Sequence, residues 1–233
     1  MASFVKESIE SSNHKCVGMY DPLGNGNYKD LKEIVNKIDG IIDFSHFSLT
    51  EEILKYAIEI NSPLVIATTG HTDEQKLKIE EASKKIAILK ATNTSLGVNI
   101  MNQIVSYATK LLADFDIELI EKHHNRKIDA PSGTAVTLLE VINESFSEKK
   151  NFVYGREGNK KREKNEIGVH AIRAGNIVGE HTVIFSSGDE IIEIKHEALS
   201  RKIFADGAVK AILSLPNKPS GLYLMKDILN INN

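Results

Sequence analysis

Two hydrophobic periodicities divide the chain. In its first half, short apolar runs alternate with longer stretches of helical period. Ser3 to Ile9 reads as a helix with Phe4, Val5 and Ile9 on one side, Asn13 to Lys15 as a turn, and Cys16 to Tyr20 as a short buried strand ending at Asp21. Strands follow at Gly40 to Phe44, Pro63 to Thr69 and Ile86 to Lys90. Helices lie between and after them, over residues 49–60, from a cap at Asp73 to Lys84, and over 97–113. Strands separated by helices of this length require right-handed crossovers, so the pattern predicts a parallel sheet whose ligands lie at the carboxyl ends of its strands.

The second half is richer in strands. Residues 117–121 alternate as a half-buried strand does, and a helix is predicted over 133–147, where Val136, Leu139, Ile142 and Phe146 recur at near-helical spacing. Gly168 to Ala174, Ile177 to Ser186 and Glu190 to Glu197 read as three long strands. Turn residues at Ala174-Gly175-Asn176 and Ser187-Gly188-Asp189 predict antiparallel hairpins. A last helix over 200–214 leads back to the first domain, and the expected division is 1–94 with 208–233 against 95–207.

Composition narrows the partners more than the fold. A chain of 233 residues with 41% hydrophobic residues can bury a real core. Its net charge of −3 and pI near 6.3 give no general attraction to nucleic acid or to an anionic membrane. The run Lys160 to Lys164 carries no interleaved aromatics and reads as a solvated loop. The one cysteine, Cys16, can form no intramolecular disulfide, and no apolar run is long enough to span a bilayer, so a reducing cytoplasm is expected. Cys16 itself reads as a core residue.

The chemistry concentrates between the strand of 117–121 and the helix of 133–147. His123, His124, Arg126 and Lys127 put four cationic or titratable groups into five positions, and Pro131 then biases Ala130 towards an extended backbone before Ser132 caps the helix. A helix start offers unpaired backbone N–H groups, so Gly133 and Thr134 can bring amides, and Thr134 a hydroxyl, to an anion. The imidazoles supply a proton donor working near neutral pH. Such a set suits a small carboxylate-bearing substrate; by residue type alone it equally fits a basic surface loop before an ordinary capped helix. At Gly24-Asn25-Gly26-Asn27 the glycines suggest a phosphate loop, but no clear helix start follows, and the segment reads as a turn. Asp21 is a candidate for the ribose hydroxyls of a nucleotide, since an acidic residue ending the second strand of a dinucleotide-binding unit serves that purpose; a turn aspartate before Pro22 is the alternative. His14, His71, His170, His181, His196 and Arg201 suggest no role.

The stretch E-x-H-H-x-x-K-x-D-A-P-S-G-T-A, Glu121 to Ala135, resembles the signature of the dihydrodipicolinate reductases, also called 4-hydroxy-tetrahydrodipicolinate reductases, of the diaminopimelate route to lysine. The likeness continues in RAGNIVGEHTVIF, in ALSRKIFADGAVKA and at Pro219 to Tyr223. It implies an α/β fold, with a Rossmann-like parallel-sheet domain beside an α+β domain whose open sheet is mainly antiparallel. It further implies NADH or NADPH as cofactor and a cyclic imine dicarboxylate as substrate. By resemblance His123 is the proton donor/acceptor, Lys127 a second proton donor, and His124, Gly133 and Thr134 hold the substrate carboxylates. His46 would approach the adenosine, while Ala67, Thr68 and Thr69 with Ala91, Thr92, Asn93 and Thr94 would touch the nicotinamide side. The family assembles as a tetramer through the open sheet, so a homo-oligomer is expected.

The resemblance also implies a strand and glycine-rich loop, G-x-x-G-x-M, immediately upstream, with Met1 in the motif's last position. That expectation leaves two explanations: a start placed at an internal methionine, about a dozen residues late, or a truncated chain that binds nucleotide weakly and acts only by binding or oligomerising. The first is favoured because the other site positions are intact. A rival enzyme class, a metal-dependent hydrolase using His123, His124 and Asp129, is disfavoured because adjacent residues of an extended segment point to opposite sides.

Overall fold

The computed structural model of the protein describes residues 1–228, so the last five residues of the expected 208–233 segment lie outside the described residues. In chain order the first elements are α1 (Ala2–Ser11), β1 (Ile41–Asp43), α2 (Thr50–Glu59), β2 (Leu64–Ile66), α3 (Asp73–Ser83) and β3 (Ala87–Lys90). Then come α4 (Leu96–Leu111), β4 (Asp116–His123), α5 (Gly133–Glu144), β5 (Asn151–Tyr154), β6 (Glu166–Arg173), β7 (Gly179–Ser186) and β8 (Ile191–Ala198). The described chain closes with α6 (Lys202–Ser214), β9 (Gly221–Tyr223) and α7 (Met225–Ile228). The described residues form two compact units, 1–95 with 201–228, and Leu96–Ser200. The return to the first unit falls at Arg201, ahead of the expected residue 208, so the whole of α6 belongs to that unit.

Unit 1 is built on a four-stranded sheet of order β1-β2-β3-β9 with every pairing parallel. Both faces are covered. Leu64, Ile66 and Ile88 pack on one side with Ile53, Leu54 and Ala57 of α2 and Ile79 of α3, while Val65, Ala87 and Leu89 pack on the other with Ala208, Ala211 and Ile212 of α6. A strand buried on both faces has no polar side to show, which is why β2 is an unbroken apolar run. α1 rests on α6 through Val5, Ala205 and Val209. At Gly207 of α6 any Cβ would run into the carbonyl oxygen of Thr94, so glycine is what permits the close approach.

Two expectations for unit 1 need correction. Cys16 to Tyr20 is not a strand: among the described residues it joins no ladder beyond a single bridge between Tyr20 and Tyr28. Its backbone groups are taken by its own loop instead, with Met19 O accepting from Asn27 N at 2.8 Å and Tyr28 N at 3.1 Å. The segment Gly24 to Asn27 is indeed a turn, with Gly24 at φ 85°. The cap of α3 is Thr72 rather than Asp73: its side chain accepts from Gln75 N at 3.2 Å while Gln75 Oε1 accepts from Thr72 N at 3.0 Å, a reciprocal capping box.

Unit 2 is a five-stranded mixed sheet of order β5-β6-β4-β7-β8. The expected hairpin at 174–176 is absent, because β6 and β7 flank β4 on opposite sides, β6 parallel to it and β7 antiparallel. The hairpin at 187–189 is present, with β7 and β8 paired antiparallel from Gly179↔Ala198 to Ser186↔Ile191. One edge was not anticipated: β5 adds to β6 in parallel. α4 and α5 cover one face, where Met101, Val105, Leu138, Leu139 and Ile142 meet Ile117, Leu119, Ile167, Val169, Val183 and Phe185. The opposite face is charged, with Glu118 bonded to His170 and Arg162, and Glu180 bonded to Lys122 and Lys195.

Candidate active site

Side-chain alternation along β4 sets up the site in unit 2. Ile117 and Leu119 point into the core, so Glu121 and His123 emerge on the same face one and two steps further along the strand. β7 places His181 directly opposite Glu121, and β6 places Arg173 opposite His123. The apolar ladder thus turns polar at one end of the sheet, beneath the start of α5.

Glu121 is 0% exposed and receives four hydrogen bonds. Its Oε2 accepts from His123 Nδ1 at 2.6 Å and Arg173 Nη1 at 2.8 Å; its Oε1 accepts from Arg173 Nη2 at 2.7 Å and Ser132 N at 3.0 Å. Burial alone would push this carboxyl up, but the hydrogen bonds from His123 and Arg173 and the bond from Ser132 N outweigh it and hold the group at about 2. Glu121 is therefore ionised at neutral pH. An ionised carboxylate only accepts, so the hydrogen in the short bond sits on His123 Nδ1, and Nε2 is the nitrogen left for exchange.

α5 begins against this group. Ser132 caps it, Oγ accepting from Ala135 N at 3.2 Å, and the same hydroxyl lies 2.9 Å from His181 Nε2. The His123 and His181 rings meet edge to face with centroids 5.2 Å apart. Burial pushes His181 down to about 3, and the neighbouring His123 adds to the effect, so His181 is neutral at pH 7. Gly133 opens on empty space where a side chain would stand, and Thr134 beside it is buried.

The loop from His124 to Pro131 is fastened to the residues that had been expected to form a hairpin turn. Ala174 N donates to His123 O at 2.9 Å, Asn125 N to Gly175 O at 3.2 Å, and Arg126 Nη1 to Asn176 Oδ1 at 3.0 Å. Lys127 Nζ donates to both Asp129 carboxylate oxygens at 2.8 Å and stands close enough to His181 to contribute to its depression. Asp129 is held low, the Lys127 ammonium outweighing the effect of burial. His123, Lys127, Gly133 and Thr134 are thus gathered around the end of β4, with His124 half-buried at the first position beyond it.

In unit 1 the cofactor candidates divide. The parallel register sends Asp43, Ile66 and Lys90 to the same edge, so the loops beginning at Phe44, Ala67 and Ala91 leave the sheet together. Thr69 and Thr92 are exposed there. His46 caps a short 3-10 helix, Phe47–Leu49, its Nδ1 accepting from Ser48 N at 3.3 Å. Asn93 Oδ1 accepts from Ser95 N at 2.9 Å. Thr68, Ala91 and Thr94 are buried; the Thr68 hydroxyl bonds to Ser45 O at 3.2 Å and the Thr94 hydroxyl to Phe204 O at 2.7 Å. Ala67 N and Ala91 N extend the ladder, donating to Asp43 O and Ile66 O. Asp21 braces its own turn, accepting from Leu23 N at 2.8 Å and Asn25 Nδ2 at 3.1 Å. A cavity of about 450 Å³ opens beside the start of α1, lined among others by Met1, Ser3, Lys6, Met19 and Asn25.

The sequence reading missed Glu121, Arg173, His181 and Ser132 as one network. Part of the signal was available: a strand whose inward positions read Ile117, Leu119, Glu121, His123 buries a carboxylate, and a buried carboxylate needs a cation. Which cation it takes depends on β6 lying beside β4, which local pattern does not reveal.

Comparison with known proteins agrees with this architecture. Residues 1–94 match the family model described as dihydrodipicolinate reductase, N-terminus, and residues 97–229 the one described as dihydrodipicolinate reductase, C-terminus. The 4-hydroxy-tetrahydrodipicolinate reductase of Brachyspira hyodysenteriae is 47% identical over 98% of this chain and 95% of its own length. The enzyme of that name from Clostridium tetani is 50% identical over 82% of this chain and 76% of its own. Among solved structures, a dipicolinate-bound dihydrodipicolinate reductase from Paenisporosarcina sp. TG-14 shares the fold, with a TM-score of 0.67 and 24% identity over 88% of this chain and 78% of that one. A two-unit fold of this topology, matched from residue 1 to residue 229 by the two family models and by relatives of nearly half identity, makes the chain a member of the dihydrodipicolinate reductase family.

Proposed function

We propose that this protein reduces 4-hydroxy-tetrahydrodipicolinate, by way of its dehydrated cyclic imine, to tetrahydrodipicolinate, with NADH or NADPH as the reductant. The observation that carries the chemistry is the cluster at the end of β4. There a histidine tied through Nδ1 to a buried carboxylate stands with Lys127 and the first residues of α5. Such a set offers both a proton-exchanging group and donors for anions.

Unit 1 fits a nicotinamide dinucleotide. Hydroxyl and amide groups of Thr69, Thr92 and Asn93 lie in loops leaving the carboxyl edge of a parallel sheet, where such ligands are bound. The one buried carboxylate at that edge, Asp43, is already engaged by Ser45 N at 2.8 Å. His46 would face the adenosine, Asp21 the ribose, and the stretches Ala67–Thr69 and Ala91–Thr94 the nicotinamide side, with the buried Thr68 and Thr94 shaping those loops. When bound, the dinucleotide supplies a hydride, two electrons with one hydrogen.

The residues of unit 2 do the rest. His123 Nε2 delivers the proton that completes reduction of the ring, and the imidazolium form is balanced by Glu121. Lys127, poised on Asp129, is a second donor. His124 and the amides of Gly133 and Thr134 hold the two carboxylates, so orientation and charge are this chain's contribution. The protein acts in the cytoplasm, where its reductant is found. It assembles as a homo-oligomer, in the first instance a tetramer; supporting this, β8 is an exposed edge with Ile191 at 65% exposure, and α4 turns Ile104, Tyr107 and Leu111 outward.

The roles are tested by steady-state kinetics of two variants. His123→Gln is expected to lower turnover by roughly a hundredfold or more with little change in substrate KM, and Lys127→Ala to lower turnover and raise KM. Wild-type kinetics in both would remove His123 and Lys127 from the reaction.

A further inference from the structure

We infer that Glu121 is a positioning residue: it fixes the His123 ring with hydrogen on Nδ1 and so makes Nε2 the atom that gains and loses the proton. The inference deepens the reading above and rests on His123 being the proton-handling group.

The geometry is over-determined in a way that an ion pair alone does not need. Arg173 already engages both oxygens of Glu121, at 2.8 and 2.7 Å, which would satisfy the charge of a buried carboxylate. To that pair the fold adds Ser132 N at 3.0 Å, from the cap of α5, and His123 Nδ1 at 2.6 Å. Held from β6 and from α5 together, the carboxylate cannot rotate away, and the imidazole two residues along the same strand is held in turn. On the far side of the ring stands Gly179, where a Cβ would lie only 3.2 Å from Nε2. That edge of the imidazole is kept clear of side chain by glycine, while the other edge is clamped.

The choice of a carboxylate matters for the chemistry. An amide in this place can turn its NH₂ towards Nδ1 and stabilise the opposite tautomer, in which Nε2 carries the hydrogen of a neutral ring and exchanges it poorly. A carboxylate bonded to Arg173 offers only lone pairs. It therefore permits one neutral tautomer, and it meets the positive charge that appears when Nε2 is protonated.

The test combines nitrogen-15 NMR of the histidine rings in the full chain with kinetics of Glu121→Gln. In the wild type, the neutral His123 ring is expected as the Nδ1–H tautomer. In the variant the Nε2–H form should become populated, and kcat should fall roughly 10- to 100-fold, part of what a general acid supplies, while substrate KM stays within about threefold. A wild-type His123 carrying its hydrogen on Nε2 overturns the inference without any variant, so a Glu121→Gln protein that fails to fold does not leave the matter open. A folded variant with wild-type kcat, or with an unaltered tautomer, overturns it as well. His123→Gln measured alongside separates the two levels: if that variant loses turnover while Glu121→Gln does not, only the positioning role fails, and if neither loses turnover, the proton-handling role of His123 fails with it.

Discussion

Gly179 shows how much of this site is decided by single side chains, including missing ones. A methyl group there would stand 3.2 Å from His123 Nε2 and 3.5 Å from Cδ2, a distance at which the ring must give by a few tenths of an ångström. The ring has nowhere to go, since Nδ1 is held at 2.6 Å by a carboxylate with no freedom of its own. Gly179→Ala is therefore expected to lower kcat by roughly tenfold, less than the hundredfold attached to a full ångström of misplacement, and to leave the thermal midpoint nearly unchanged. An unchanged kcat would show that this edge of the imidazole is not engaged. At this scale the sequence was partly legible. Glu121 and His123 stand two apart in a strand, so their shared face could be read from alternation, whereas Arg173 and Gly179 arrive from strands far away in sequence.

Among elements, the joint between β7 and α5 stores a pH dependence. His181 on β7 meets the cap residue of α5 through the 2.9 Å contact between Nε2 and Ser132 Oγ, and its Nδ1 has no hydrogen-bond partner among the described residues. The group titrates near 6.5 in an unfolded chain and at about 3 here. Between those values the unfolded chain binds a proton that the folded one refuses, so stability falls as pH drops below about 6.5, by up to roughly 1.4 kcal/mol per pH unit. Glu121 acts in a lower window: its contribution is full above its ordinary 4.5 and is lost as pH falls towards about 2. Urea unfolding at pH 7 and pH 5 should show a larger loss for the wild type than for His181→Gln, which keeps a polar group opposite Ser132. Equal losses would mean that His181 protonates without cost in the fold. The long elements were readable from period, the short β5, β9 and α7 were not, and two segments that were misread have physical causes. Cys16 to Tyr20 has strand-like residues but no ladder partner, and Ala174 to Asn176 has turn residues that anchor the loop of 124–131 instead of closing a hairpin. Both are matters of which neighbour a segment finds, which local preference does not determine.

For the whole molecule, division of labour follows from the two sheets. Unit 1 buries both faces of a parallel sheet and so leaves its strand ends open, where the loops after β1, β2 and β3 emerge. Unit 2 covers one face of its sheet with α4 and α5 and uses the end of that same covered face for His123, Glu121 and Arg173. The signature from Glu121 to Ala135 made the family legible, because it spans the end of β4, the loop and the start of α5 in a single run of chain. The network behind it was not legible, because its other members come from β6 and β7. The claim on which all of this depends is that the chain moves a hydride from a nicotinamide to a cyclic imine dicarboxylate. Its most direct test is the loss of nicotinamide absorbance when the purified protein, 4-hydroxy-tetrahydrodipicolinate and NADH or NADPH are mixed. The account predicts oxidation of one cofactor per tetrahydrodipicolinate formed, dependent on the substrate; no oxidation of either cofactor in its presence would contradict it.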